Sequence, residues 1–470
     1  MSLSSNPTSF AGDRKDSGQS GDAALSTLLN ANNLDSYVLP SALSVTVARS
    51  FKQSYPVANT YDVGPAALNS STVSFVLTPG ADYVYGPDSF FTFSLASSTP
   101  GAGLENWFGE HGSVLNIFKS IRLTHASGVE IEYIDNLNLL NSFKMAYERD
   151  ETYRSSEGTG FGMSHKSKSS RDPLATAVAP VVVGVGASTI TQTWASSGTG
   201  GTGRYLRANL SNSFAVPLSA LSEFFNSDKL LPPYVLAGMR IELELASPNI
   251  SLQGITTSTG VITVNSSAVT QTLTELRMQL DSHTLSDSVA KAIARMSANE
   301  GLDIHFPSWF HDRHQMTNTS TTINITKALS RVEDITLVPR ILAHTSDVIA
   351  TTVHDSLRAK VYQTSKWQIS IGSMFFPSHP IEKAAAADRL AVHGRRHMAN
   401  VDMHAYAVDG LGVLRGALER SQILNGSGIA VSATRGATVH VTDTTTPLVD
   451  LFVKHTRLCS VFLDNAIVRT

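Results

Sequence analysis

Cysteine is almost absent: Cys459 stands alone in 470 residues. One thiol cannot close a disulfide within the chain, so no covalent framework staples the fold and nothing points to an oxidising compartment. Charge is scarce too. Lys, Arg, Asp and Glu make up 16% of the residues, against about 25% in ordinary soluble domains. A formal net charge of −3 excludes binding of nucleic acid through overall charge, while leaving room for local basic patches. No stretch approaches the ~20 consecutive apolar residues that a membrane-spanning helix needs. The first residues, MSLSSNPTSFAGDRKDSGQSGD, lack the apolar run of a secretory signal. An intracellular setting is expected.

Enzymatic signatures are missing as well. No Gly-x-Ser-x-Gly elbow and no Gly-Lys-Ser/Thr phosphate loop occurs. GTGFGM (158–163) and GTGGTG (198–203) are glycine-rich, but a phosphate loop needs a strand before it and a helix N-terminus after it. Neither has both, and both read as flexible loops. Cys459 sits in an alternating terminal strand, which gives no support to a nucleophile. His305, His311 and His314 lie close in sequence with Asp303 and Asp312. A metal would need their imidazoles and a carboxylate to converge. The segment follows a strand and contains Pro307, so packing in a loop or interface is expected instead. His393 and His397 in HGRRH have zinc-helix spacing, but Gly394 stands where that pattern needs Glu. They read as a basic helix end or turn. No catalytic, cofactor-binding or metal-ligating residue is assigned, no cofactor or small-molecule substrate is expected, and the chain is not expected to be an enzyme.

What is present is a long series of short strands. STVSFVLTP and SFFTFSLAS (89–97) end at Pro-Gly turn signals. SVLNIFKSIRLTHASGVEIEYI (113–134) reads as a short helix leading into a hairpin through Ala126-Ser127-Gly128. In MRIELELAS, Ile241, Leu243 and Leu245 share one face and Arg240, Glu242 and Glu244 the other. Helices are expected at 22–32, 135–148, 219–229 and 286–296. In the last of these, Asp287 and Arg295 are expected in the first and last turns, complementing the helix dipole. Residues 366–381 read as a strand with Trp367, Ile369, Ile371 and Phe375 on one face, turning at Phe376-Pro377 into an alanine-rich helix over 381–390. Residues 1–20 read as a flexible arm, and 150–203 as a long irregular insertion. HKSKSSR (165–171) within it reads as a solvated loop tip, or as a contact for anionic lipid, nucleic acid or an acidic neighbour.

Strands, helix and strands recur in both halves, which points to two β-sandwiches side by side. FAVPLSALSEFFNSDKLLPPYVLAGMRIELEL (214–245) ends a strand at Val-Pro-Leu, crosses by an aromatic helix, and passes through Leu-Pro into an alternating strand. This resembles the end of the first jelly roll in double jelly-roll major capsid proteins, most like those of polinton-like viruses, virophages and large eukaryotic DNA viruses. Residues 275–296 resemble the connector to the second jelly roll. The likeness is one of motif order over most of 60–470. It departs from the large-virus members at Leu230–Tyr234, where LLPPY replaces a single-proline run.

The resemblance implies an all-β chain of two tandem eight-stranded jelly-roll sandwiches with short helices and long loops. The expected division is an N-terminal arm and lead-in at 1–60, a first jelly roll at 61–283, a connector helix at 284–298 and a second jelly roll at 299–470. It further implies a homotrimer of pseudo-hexagonal outline that tiles an icosahedral shell around DNA. Neighbouring capsomers, penton and minor or cement proteins would be its partners, with the arm reaching an internal membrane or the genome. Its place would be the virion, after assembly inside the host cell. The insertion at 150–203 would be an outer tower or a clasp between subunits. Two alternatives come from other classes. A viral fibre or receptor-binding sandwich protein should carry a repeating shaft or coiled-coil trimeriser, and neither is seen. A carbohydrate-active enzyme should be secreted and rich in binding-face aromatics, yet only four Trp are present.

Overall fold

Alternation decides the sheets. In Thr72–Val76 the side chains of Val73 and Phe75 are buried while their neighbours face outward. In Arg240–Leu245 the same holds for Ile241, Leu243 and Leu245, as expected of strands with one face on a core. The structure, a computed structural model, describes residues 50–56, 61–63, 72–98, 104–107, 113–147, 181–185, 188–192, 205–207, 211–227, 229–246, 253–258, 261–264, 270–285, 287–299, 301–340, 364–382, 414–417, 429–431, 436–443, 448–462 and 466–469.

The first half contains β1 (Ser50–Pro56), β2 (Tyr61–Val63), β3 (Thr72–Val76), β4 (Tyr83–Ser98), β5 (Leu104–Trp107), β6 (Phe118–Thr124) and β7 (Glu130–Ile134). Helix α1 (Leu137–Tyr147) follows, then β8 (Val181–Val185), β9 (Ser188–Gln192), β10 (Tyr205–Arg207) and β11 (Ser211–Pro217). Two single-turn helices, α2 (Leu218–Leu221) and α3 (Pro233–Leu236), flank β12 (Leu230–Leu231). The half closes with β13 (Arg240–Leu245), β14 (Gln253–Ser258), β15 (Val261–Val264) and β16 (Thr270–His283).

Helix α4 (Asp287–Asn299) leads to β17 (Leu302–Gln315), β18 (Ser320–Ile325), β19 (Leu329–Arg340), β20 (Thr364–Ile371) and β21 (Met374–Glu382). The last strands are β22 (Leu414–Ala417), β23 (Ile429–Val431), β24 (Ala437–Asp443), β25 (Leu448–Val461) and β26 (Ala466–Arg469).

Sheet order repeats between the halves. The first has sheets β1-β16-β4-β11 and β3-β13-β6-β7; the second has β17-β25-β19-β22 and β18-β24-β20-β21. When the eight strands of these paired sheets are numbered in chain order within each half, both read 1-8-3-6 and 2-7-4-5. The first and last strands are neighbours and the two sheets exchange strands throughout, which is the jelly-roll arrangement. It is present twice. Strand β1, inside the expected lead-in, is paired with β16 from Ser50↔His283 to Pro56↔Arg277. A smaller sheet, β10-β5-β14-β15, and the hairpin β8-β9 are additions to the first half. That hairpin is the described part of 150–203.

Each sandwich has its own core. Phe91 lies against Phe75, Phe93 and Phe118 in the first, with ring centroids 5.1–5.9 Å apart. Ile323, Ile335, Ile369, Val439 and Leu451 pack in the second. The first cluster also takes in Ile304, Phe306, Trp309, Val338, Phe452 and Cys459, so apolar packing continues from one half into the other.

Several expectations are corrected. The 366–381 segment is a hairpin: β20 ends at Ile371, Gly372 turns the chain at φ 60, and β21 carries Phe376-Pro377 in its interior. β21 pairs only with β20 among the described strands, and an edge strand tolerates a proline. Ile369 and Ile371 are buried as expected, whereas Phe375 is 51% exposed. Ile381 and Glu382 are strand rather than helix, and the alanine run after them lies outside the described residues. Helix α4 continues to Asn299, so Arg295 is not in its last turn, although Asp287 is in its first. The helix expected at 219–229 is the single turn Leu218–Leu221.

Candidate functional site: a buried charged seam

The jelly rolls meet along two edge strands. β7 ends the sheet β3-β13-β6-β7 and β17 begins the sheet β17-β25-β19-β22. No backbone ladder joins them among the described strands; Pro307 in β17 also lacks the N–H that a ladder would use. Side chains close the gap instead, and four successive contacts line β17. The Phe306 ring packs edge-on against Phe224, centroids 5.4 Å apart. Ser308 Oγ donates to Glu132 Oε1 at 3.0 Å. Lys144 Nζ lies 6.0 Å from the Trp309 ring centre. His311 Nδ1 is 3.3 Å from Asp135 Oδ2.

Local structure explains how charge reaches this interior. β7 pairs with β6 through Ile121↔Ile134 and Leu123↔Glu132, and the register then shifts at Thr124↔Glu130. Glu132 therefore shares the inward face with Ile134 and is wholly buried. Plain alternation in EIEYI would have put both glutamates on the face of Ile134; the shift turns Glu130 outward and leaves Ile131 buried as well. Ser222, at the C-terminal end of α2, donates its hydroxyl to Glu132 Oε2, and the Phe224 amide reaches the same oxygen at 3.4 Å. Gly86 permits this loop to approach, because a Cβ there would stand 2.3 Å from the Phe225 carbonyl oxygen.

Helix α1 is buried on its polar side too, including Asn138, Asn141, Ser142 and Lys144. Lys144 Nζ binds Glu223 Oε1 at 2.5 Å, and Asn226 Nδ2 donates to the other oxygen at 3.0 Å. Burial pushes the Glu223 carboxyl up, but the Lys144 charge and hydrogen bond outweigh it and hold it below the ordinary range. Glu132 is the opposite case. Burial drives its carboxyl up to about 7, and its hydroxyl partners only partly offset this. A buried acid without a cation in hydrogen-bond reach favours its neutral form.

At the other end of the seam His311 Nε2 lies 2.9 Å from Asp450 Oδ1. Arg313 Nε approaches the same oxygen at 2.7 Å and Arg340 Nη1 the second oxygen at 3.4 Å. Burial acts against the imidazolium, yet the two carboxylates raise His311 above its ordinary value. Burial likewise opposes the charge on Asp450, but His311 and the two arginines hold it ionised.

The histidines singled out by sequence do not converge. His305 and His311 lie six residues apart on one extended strand, roughly 20 Å at the usual rise. His314 points to the other face and pairs locally with Asp312, Nε2 to Oδ2 2.9 Å. Asp303 accepts from Ser460 Oγ at 2.5 Å. Among the described residues no group of His, Cys, Asp and Glu could hold a metal ion, and no helix is long and apolar enough to cross a membrane. Of the sequence candidates only His311 joins the seam, in a strand rather than a loop. The glycine-rich loops, HKSKSSR and the His393/His397 pair lie outside the described residues.

No family model matches the chain, and no curated protein matches it. Solved structures do. The Faustovirus major capsid protein superposes with a TM-score of 0.58 at 8% identity, over 90% of this chain and 92% of that one. PBCV-1 VP54, as fitted into a reconstruction of the virophage Sputnik, gives 0.55 at 10%, over 93% and 100%. The Sputnik virophage structure gives 0.54 at 11%, over 100% and 94%. With the sheet order repeated in both halves, the chain has the double jelly-roll fold found in these viral capsid structures.

Proposed function

We propose that the chain is a structural major capsid protein, whose work is assembly rather than catalysis. The observation that carries this is the fusion of two jelly rolls with one strand order into a block, which superposes over 90–93% of the chain on viral capsid structures. A shell subunit needs broad lateral faces with little charge, and the low charged fraction of the chain agrees. The subunits assemble as homotrimers of pseudo-hexagonal outline, which tile an icosahedral shell around DNA beside penton and minor or cement proteins. The chain divides at α4 (Asp287–Asn299), with the first jelly roll drawing its leading strand from residues 50–56. The insertion at 150–203 serves as an outer tower or a clasp, and residues 1–35 lie inside, against an internal membrane or the genome. The protein resides in the virion shell after assembly in the host cell.

Light scattering on the purified protein, followed by electron microscopy of any particles, tests this. A compact trimer with hexagonal outline is expected; a stable monomer at micromolar concentration would sink the assembly claim. Deleting residues 1–20 is expected to spare the trimer and impair the shell.

A further inference from the structure

We propose that β7 and β17 form a proton-sensitive latch, in which protons held by Glu132 and His311 fasten the first half of the chain to the second. The proposal stands whether or not the chain builds a shell.

The two groups are set in opposite surroundings that lead to the same outcome. Glu132 is fully buried, and its hydrogen-bond partners are the Ser222 and Ser308 hydroxyls and the Phe224 amide, all neutral. A serine hydroxyl accepts as readily as it donates, so the protonated acid keeps its partners. The ionised acid would bring a charge beside Glu223, with Arg457 facing it through space but not hydrogen-bonded to it. His455, opposite Ser308 on β25, is pushed down to about 4 by burial and the Arg457 and Lys327 charges. It therefore adds no charge near neutrality.

His311 stands between Asp135 of the first half and Asp450 of the second, at 3.3 and 2.9 Å. One imidazole serves two carboxylates only when both nitrogens carry protons. The Asn136 amide nitrogen lies 3.1 Å from Nε2 and 3.2 Å from Nδ1; it donates only to an unprotonated ring nitrogen, so it competes with the doubly protonated ring, and Phe452 packs beside the ring. If His311 loses a proton, Asp450 retains Arg313 and Arg340, whereas Asp135 loses the charged partner across the seam. Release thus falls on the link between the halves rather than on the second jelly roll.

The signs agree. Glu132 rises from 4.5 to about 7 in the closed seam, so opening releases a proton between those values and becomes easier with pH, by up to tenfold per unit. His311, raised above 6.5, adds the same trend above that pH. The latch is closed in mild acid and loosens through neutrality.

Hydrogen exchange of the full chain at pH 5.5, 6.5 and 7.5, corrected for intrinsic rates, tests it in peptides covering 130–136 and 304–313. Their opening is expected to rise about tenfold between pH 5.5 and 6.5, while β20 and β24 stay unchanged. Glu132→Gln, neutral throughout, should flatten that rise, and His311→Gln should reduce the part above pH 6.5 to the share that Glu132 supplies. Ser308→Ala deletes a donor that favours the ionised acid, so its rise should continue further above pH 6.5 than that of wild type; this variant decides the matter if Glu132→Gln does not fold. A wild-type profile level in pH, or a Glu132→Gln or Ser308→Ala profile superposing on wild type, overturns the latch.

Discussion

Lys144 Nζ and Glu223 Oε1 lie 2.5 Å apart, with only 10% and 9% of their side chains exposed. A buried pair of this kind costs much to desolvate and more to break, because the remaining charge has no water to turn to. Lys144→Met alone should lower stability by about 3–5 kcal/mol, read from urea unfolding. Lys144→Met with Glu223→Leu should recover much of the loss. A single variant as stable as wild type would show that the pair is open to water.

Gly86 and Gly436 make a matched test of close approach. A Cβ on Gly86 would stand 2.3 Å from the Phe225 carbonyl oxygen, which is backbone and cannot swing aside; one on Gly436 meets nothing within 4 Å. Gly86→Ala should cost about 1–3 kcal/mol, and Gly436→Ala less than about 0.5. Thermal unfolding of both variants checks this, and equal losses would contradict the fit of the 222–227 loop onto β4.

His455 is buried, and its ring is pushed from 6.5 to about 4. Below pH 6.5 the unfolded chain takes up a proton that the folded one refuses, so stability falls as pH drops towards 4. The shift corresponds to about 3 kcal/mol. His455→Asn should lose less stability than wild type between pH 7 and 4, measured by chemical unfolding at each pH. Parallel curves would mean that the ring protonates freely. This loss concerns global unfolding and runs opposite to the seam, so only a local measurement isolates the latch.

Cys459 is buried on β25, and burial pushes its thiol up to about 12. The thiolate is the reactive form. The native protein should therefore ignore Ellman's reagent at pH 8 and react promptly once unfolded in guanidinium. Prompt native reaction would place the C-terminal strand in frequent local opening.

The sandwiches were legible in the sequence because their strands have one wet face and one dry one. Arg240–Leu245 declares its sheet unaided, and α4 declares itself through Asp287 and its spaced apolar positions. The seam was not legible. Ser308 and Glu132 are 176 residues apart, and no local pattern marks which face of β7 turns inward. His311 stood out for its chemistry, but Pro307 suggested a loop where the chain builds an edge strand. Phe376-Pro377 misled in the same manner: on an edge, a proline interrupts no ladder, and Gly372 makes the turn. Helix α1 was expected near 135–148, but the partner that binds Lys144 on its polar side comes from 79 residues away.

The repeated strand order has a consequence for how the chain can be continued. In a unit whose first and eighth strands are antiparallel neighbours, the chain leaves beside the place where it began. A second copy of the coding segment, placed directly after the first, could then fold without rerouting, needing only a short spacer such as α4 to carry the chain across. What duplication alone cannot supply is asymmetry. Acid stands on the fifth strand of one unit and the matching histidine and serine on the first strand of the other, so the two are not interchangeable.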